Sequence, residues 1–223
     1  MTMTDADAPL PTRRLLIVED DDDTAELLSQ QLERDGLAID IARNGQEAIL
    51  VIGETPPDIV VMDLMMPKLD GFETTRFFKA KFRSTFVPIL VLTAKSDAQS
   101  RAKGARFGCE EYMTKPYDRK ELLAAISVLL ELGELENSLN ATNAPIEAPA
   151  DAPEFDLAGA QAAQASRRAE LVQKIVDLRV DIAERQVSAG RPEIARVHVD
   201  RAIELDGGCE RAHGLLQKLS HAG

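Results

Sequence analysis

Residues 15–21 read Leu15-Leu16-Ile17-Val18-Glu19-Asp20-Asp21, a run of four apolar residues that ends abruptly in three acids. The pattern returns downstream as Ile59-Val60-Val61-Met62-Asp63 and Ile89-Leu90-Val91-Leu92-Thr93. Short continuous apolar runs rich in β-branched residues, with no polar alternation, mark strands buried on both faces, as in a parallel sheet. Ala38–Ala42 and Glu111–Thr114 are two further, shorter strand candidates.

Segments of helical period lie between the strands, each with start or stop signals. Asp22 or Asp23 is placed to cap a helix through Leu27, Leu28 and Leu32 that stops at Gly36. Asn44 precedes Ala48, Ile49, Val51 and Ile52, and Phe72 to about Lys81 follows Gly71. Ser96 or Asp97 opens a fourth helix, and Asp118 a fifth that carries Leu122, Leu123, Ile126, Leu129 and Leu130. Five β-α units in a row predict an α/β fold, a doubly wound parallel sheet with right-handed crossovers and helices on both faces. Ligands of such sheets sit beyond the carboxyl ends of the strands, so the residues following each apolar run are the candidates for chemistry.

Those residues are Glu19, Asp20 and Asp21 after the first run, Asp63 after the third, Thr93 and Ala94 after the fourth, and Lys115-Pro116 after the fifth. Glu19, Asp20 and Asp63 form a hard-oxygen cup without His or Cys, the donor set that suits Mg²⁺. Mg²⁺ keeps several waters and shares its carboxylates with phosphate oxygens, which points to phosphoryl chemistry. Lys115 offers a charge and Thr93 a hydroxyl for phosphoryl oxygens, and a carboxylate can serve as nucleophile. Asp63 fits that role because it ends the strand that is central in a doubly wound order. Taken singly, an acid run is a solvated helix cap, Lys115 a surface lysine and Thr93 a helix-flanking hydroxyl. Their joint occurrence after successive strands argues for a site.

At these positions the chain resembles the receiver domains of two-component response regulators. The likeness rests on residues 15–21, on Asp63-Leu64-Met65-Met66-Pro67-Lys68-Leu69-Asp70-Gly71, on Leu92-Thr93-Ala94, and on Tyr112-Met113-Thr114-Lys115-Pro116-Tyr117, and it covers about residues 13–133. The resemblance implies a flavodoxin-like five-stranded sheet of order 2-1-3-4-5 and phosphorylation of Asp63 by a phosphohistidine of a partner histidine kinase or phosphotransferase. It assigns Mg²⁺ to Asp20, Asp63 and the Met65 backbone carbonyl, with Glu19 acting through water. It also makes Thr93 and Tyr112 a switch, Tyr112 turning inward behind the Thr93 hydroxyl, although an aromatic at a strand end also serves as simple rim packing. All three histidines, His198, His213 and His221, lie in the C-terminal part, so the phosphohistidine is expected from another protein. Beyond self-catalysed phosphoryl transfer and loss, no enzyme activity is expected.

Composition narrows the alternatives. Of the 223 residues, 44% are hydrophobic and 29% charged, enough for a packed core, but only 4% are aromatic and none is Trp. A net charge of −12 with no basic segment disfavours nucleic acid and anionic lipid as partners. The N-terminal stretch has no apolar core, and the apolar runs elsewhere are too short for a membrane span, so a cytoplasmic protein is expected. Cys109 and Cys209 read as reduced thiols. No P-loop or Rossmann glycine pattern is present, and the second Asp that a haloacid-dehalogenase-like phosphatase wants at position 65 is Met65.

Residues 134–153 turn to Ala, Asn, Glu and Pro145, Pro149 and Pro153, a composition that reads as a flexible linker. Residues 154–223 then form a small all-α tail. A long helix over about 160–189 carries Leu171, Ile175, Leu178 and Ile182, a second opens at Pro192 and runs to Leu205, and a third spans about Cys209 to Ser220. The stretches Gly190-Arg191-Pro192-Glu193-Ile194-Ala195 and Ala202-Ile203-Glu204-Leu205-Asp206 are similar to part of a tetratricopeptide repeat, but Arg179, Gln186 and Gly207 stand where Trp, Tyr and Pro are usual. About one and a half repeats are present where stacks need roughly three. The tail is therefore expected to dimerise, to dock on the receiver-like part or to bind a protein partner; a plain helical hairpin fits as well. Cys209 and His213, at i and i+4, are only two of the ligands a metal needs. The main reading is a phosphorelay response regulator that switches protein–protein interactions. The alternatives are a DNA-binding regulator acting through the C-terminal helices and an Asp-nucleophile phosphatase.

Overall fold

The computed structural model describes residues 13–53, 56–147 and 156–221. Five β-α units follow one another: β1 (Arg14–Val18), α1 (Asp22–Glu33), β2 (Ala38–Ala42), α2 (Gly45–Val51), β3 (Ile59–Met62), α3 (Gly71–Lys81), β4 (Ile89–Thr93), α4 (Ala98–Phe107), β5 (Glu111–Thr114) and α5 (Arg119–Ala141). Three more helices complete the chain, α6 (Leu157–Ser188), α7 (Pro192–Leu205) and α8 (Glu210–His221). The strands pair in parallel in the order β2-β1-β3-β4-β5, the order the resemblance implies.

Each of the helices α1 to α5 opens on a side chain that accepts a backbone N–H of its first turn: Asp21, Asn44, Asp70, Asp97 and Asp118. The cap of α1 is thus Asp21, not Asp22 or Asp23, which sit in the first turn where their charge suits the helix dipole. Strand parity sorts the core into two layers. Leu15, Ile17, Ile59, Val61, Leu90 and Leu92 face α1 and α5, while Leu16, Val18, Val60, Met62 and Ile89 face α2 and α3.

Helix α5 runs on past residue 133, where composition places the start of the linker, as far as Ala141. The reason is burial: Leu132, Glu136 and Leu139 are covered, and Ile175 and Ile182 of α6 join the same apolar cluster as α5 and the sheet. Of the expected linker, residues 148–153 lie outside the described residues. The tail has a small core of its own, built from Val176, Val180, Ala183, Ala195, Val199, Ala202 and Ala212. The tail docks on the α/β part, through α6 against α5 and α7 against α4.

The seam between the two parts is polar and buried. Arg179 donates from Nε and Nη2 to Glu136 Oε1 at 3.0 and 2.7 Å, with both side chains 3% exposed or less. Gln186 donates to Glu111 at 2.5 Å, and Arg191 reaches the same carboxylate at 3.0 Å. Arg179 and Gln186 are the positions where a tetratricopeptide repeat would carry Trp and Tyr; here they face acids of the receiver part. His198 is fully buried, with Nε2 2.8 Å from the Glu110 carbonyl and Nδ1 3.4 Å from Arg179. An N–H on Nε2 and a bare Nδ1 satisfy both contacts, so the ring is neutral. Burial first, and the Arg179 charge second, push its pKa down to about 3; Arg185 and Lys79 add to this, and the Glu110 carbonyl opposes it.

Two measurements test this seam. Arg179→Met removes both hydrogen bonds to Glu136 Oε1 and leaves that buried carboxylate only the Arg201 contact at 3.3 Å on Oε2; it is expected to cost about 3 kcal/mol in chemical denaturation, with most of that recovered in Arg179→Met/Glu136→Leu. An unchanged single variant would contradict the buried pair. For His198 the folded pKa lies below the unfolded value of 6.5, so its contribution is complete above pH 6.5 and is lost as pH falls toward 3. Wild-type stability is expected to fall from this group by about 1.4 kcal/mol per pH unit in that window. His198→Gln lacks that slope; equal slopes in the two proteins would refute a neutral buried ring.

Candidate functional site

The parallel ladder continues one bond beyond the strand ends, and this aligns the site. Glu19 N–H donates to the Ala42 carbonyl at 3.0 Å, Asp63 N–H to Val18 at 2.9 Å, and Lys115 N–H to Thr93 at 2.8 Å. Glu19, Asp63, Thr93 and Lys115 therefore stand at one rim, each fixed by its neighbouring strand. The Lys115–Pro116 bond is cis.

Lys115 Nζ lies 2.5 Å from Glu19 Oε2 and 2.9 Å from Asp63 Oδ2, bridging the two carboxylates. Asp63 Oδ1 accepts the Met65 N–H at 3.1 Å. Glu19, Asp63 and Thr93 are buried, Lys115 is half-buried and Asp20 faces solvent. Carboxylate oxygens of Glu19, Asp20 and Asp63 all lie within 4.8 Å of one another, the only such cluster of three or more His, Cys, Asp or Glu among the described residues. A set of three hard oxygen donors, one of them open to water, fits Mg²⁺, which keeps part of its hydration shell.

The electrostatics separate the two buried acids. Burial pushes Asp63 upward, but the Lys115 hydrogen bond, the Met65 N–H, the Lys115 charge and the Thr93 hydroxyl together hold it below the usual carboxylate range. For Glu19 burial prevails over the Lys115 hydrogen bond and charge, and the Asp63 charge adds to it, so its pKa is raised. Burial lowers Lys115, but its bonds to Glu19 and Asp63 outweigh that and leave it raised. Asp63 is thus the more readily ionised carboxylate of the pair, and it lies beside an ammonium whose own pKa is raised. That combination suits a nucleophile facing an anionic phosphoryl group.

Tyr112 lies behind the site, fully buried and turned inward, with its hydroxyl donating to the Lys95 carbonyl at 2.9 Å. Its ring shares a cluster with Leu64, Phe72, Val91, Cys109 and Ile194. Cys109 is fully buried and its pKa is raised by burial first and by Glu110 second, which leaves an inert thiol. Cys209 and His213 belong to no larger ligand cluster among the described residues; His213 Nδ1 lies 3.0 Å from the Cys209 carbonyl.

Gly71 is a positional residue that sequence reasoning quoted without giving it a role. A Cβ there would lie 2.2 Å from the Asp63 carbonyl oxygen and 2.8 Å from Leu64 Cα, both backbone atoms that cannot swing aside. Glu111, Glu136 and Arg179 were not singled out as partners. The available signal was a charged residue within an apolar stripe, Glu136 between Leu132 and Leu139, and Arg179 between Ile175 and Ile182.

A family model described as the response regulator receiver domain matches residues 15–127. Response regulator MprA of Mycolicibacterium vanbaalenii is 41% identical over 119 residues, 52% of this chain and 50% of that protein. The alkaline phosphatase synthesis transcriptional regulatory protein PhoP of Bacillus subtilis is 34% identical over 123 residues, 55% of this chain and 50% of that protein. The chain spans about half the length of these curated relatives. Among solved structures, the non-phosphorylated HemR receiver domain from Leptospira biflexa superposes with a TM-score of 0.50 at 33% identity, covering 53% of this chain and 94% of that one. A CheY-like receiver domain protein from Methanospirillum hungatei gives 0.53 at 23% identity, over 56% and 98% of the two chains, a likeness of fold alone.

Gly71→Ala is expected to destabilise the protein by about 1–3 kcal/mol, because the Asp63–Leu64 backbone must move to admit the methyl group. Urea denaturation reads this directly. Wild-type stability in that variant would show that the approach is looser than 2.2 Å implies.

Proposed function

The chain belongs to the response regulator receiver family, and from that premise we propose that Asp63 is the phosphoryl acceptor and Glu19, Asp20 and Asp63 the Mg²⁺ site. The observation that carries the assignment is the Lys115 ammonium bridging Glu19 and Asp63 at 2.5 and 2.9 Å beside the three-carboxylate cluster. A carboxylate oxygen of Asp63 attacks phosphorus in line as the P–N bond of the donor phosphohistidine breaks and its electron pair returns to the imidazole. The product is an aspartyl phosphate.

Each neighbouring residue has a part in this step. Lys115 donates to a phosphoryl oxygen, a charge-assisted bond that compensates the added negative charge. Thr93 supplies a hydroxyl donor from the end of β4, and the Met65 N–H steadies the acceptor carboxylate. When bound, Mg²⁺ would neutralise charge on the phosphoryl oxygens; the Asp20 and Asp63 carboxylates would hold it, with Glu19 acting through water and the Met65 carbonyl carried over from the family pattern. Tyr112 serves as the switch behind Thr93, its inward position and its bond to the Lys95 carbonyl supporting that role.

The donor is a histidine kinase or histidine phosphotransferase. The part up to the end of α5 receives the phosphoryl group, the stretch between α5 and α6 connects, and residues 154–223 act on a protein partner or a second copy of the chain. Among the described residues no helix is long and apolar enough to cross a membrane, which accords with a cytoplasmic protein. A DNA-binding output is less well supported. Arg179, Arg191, Arg196, Arg201 and Arg211 are each paired with an acid, which reduces the positive charge that the tail can offer a phosphate backbone.

Incubation with acetyl phosphate and Mg²⁺, followed by intact-mass spectrometry, tests the assignment. One phosphoryl adduct is expected on the wild type, dependent on Mg²⁺, and none on Asp63→Asn. An adduct persisting in that variant would move the acceptor elsewhere.

A further inference from the structure

Two routes of contact lead from the tail to the loop that follows β4. In the first, Ile194, on the first turn of α7, is fully buried in a cluster with Leu64, Phe72, Val91, Cys109 and Tyr112. Leu64 is the chain neighbour of Asp63, and Tyr112 holds the Lys95 carbonyl through its hydroxyl at 2.9 Å. In the second, Arg101 on α4 donates from Nη1 to the Ser96 carbonyl at 2.5 Å and from Nε toward Glu193 Oε2 at 3.5 Å. Glu193 and Ile194 of the tail thus bear on both sides of residues 94–97.

That loop begins at Thr93, whose hydroxyl accepts the Lys95 N–H at 3.4 Å. It ends at Asp97, which caps α4 by accepting from Ser100. Helix α4 also packs closely on this cluster: a Cβ at Gly104 would meet Cys109 Sγ at 3.0 Å and the Tyr112 ring at 3.3 Å. With α7 in place, Tyr112 is walled in and the loop is pinned from two sides. Truncating Ile194 opens a void in the cluster that packs Tyr112, so the ring and its bond to the Lys95 carbonyl lose support.

We infer that Glu193 and Ile194 are positioning residues for the phosphoryl site: the docked tail fixes residues 94–97, and with them the Thr93 hydroxyl, in the arrangement that accepts a phosphoryl group on Asp63. This rests on the proposed acceptor role of Asp63. A preplaced donor accelerates transfer because it needs no reorganisation at the moment of reaction. Coupling is reciprocal, so a phosphoryl group that engages Thr93 must in turn tighten the seat of α7. The tail is therefore part of the apparatus that loads the receiver as well as a downstream element.

The test uses the full chain. Acetyl phosphate with Mg²⁺ gives the labelling rate, and beryllofluoride with Mg²⁺ serves as a stable phosphoryl mimic for hydrogen–deuterium exchange. Ile194→Ala is expected to label about tenfold more slowly, Glu193→Gln about threefold more slowly, and Ile194→Val close to the wild-type rate, within the usual range for coupled sites. In the wild type the mimic should slow amide exchange across residues 192–199 by about fivefold or more, and in Asp63→Asn it should not. A merely structural role for Ile194 would lower stability without making α7 exchange respond to the mimic. If the mimic protects residues 63–66 but α7 exchange is unchanged, or if Ile194→Ala and Glu193→Gln both label at the wild-type rate, the positioning role is refuted while the acceptor assignment stands. If Ile194→Ala does not fold, the mimic's effect on wild-type α7 and the rate of Glu193→Gln decide the matter. Absence of any protection at residues 63–66 overturns the acceptor assignment and this inference together.

Discussion

One ammonium group organises the rim of the sheet. Lys115 Nζ touches both Glu19 and Asp63, residues that end strands β1 and β3, while Lys115 itself ends β5 across the Thr93 position of β4. Two buried carboxylates this close repel each other, and only a cation between them allows both strand ends to converge. Alignment depends on the parallel ladder continuing one bond past each strand, which leaves every side chain no freedom to be elsewhere along the sheet. Removing the charge would therefore disturb the site without altering the ladder that builds it.

A second constraint comes from the tail. Its attachment combines the apolar packing of Ile175 and Ile182 on α5 with a set of buried polar pairs, Arg179 with Glu136, Gln186 with Glu111 and His198 with the Glu110 carbonyl, and with Ile194 in a second apolar cluster. Buried polar pairs fix geometry tightly because a small displacement leaves a charge unsatisfied. Glu110, Glu111 and Tyr112 are consecutive, and they carry three of these contacts at the start of β5. The strand that ends at Lys115 is thus held by the tail at one end and by the acidic cluster at the other.

The receiver half was legible from sequence because each element is specified locally. Continuous apolar runs named β1, β3 and β4, capping acids named the helices, and the residues after each run named Glu19, Asp20, Asp63, Thr93 and Lys115, which the fold brings together. The α1 cap was misread by one residue because three successive acids all satisfy the local rule. The extent of α5 and the seam were not legible, since they are set by pairing across the fold. Glu136 and Arg179 lie 43 residues apart, and nothing local distinguishes a buried ion pair from two solvated charges. The departures of Arg179 and Gln186 from the tetratricopeptide pattern were visible, but their cause appears only once the facing acids are in place.

The central claim is that Asp63 carries the phosphoryl group. Borohydride reduction of the phosphorylated protein converts an aspartyl phosphate to homoserine, and peptide mapping locates the converted residue. The account predicts homoserine at position 63 and at no other acid. Homoserine at Asp20 or another aspartate, or 2-amino-5-hydroxypentanoate at Glu19 or another glutamate, with Asp63 recovered intact, would contradict it.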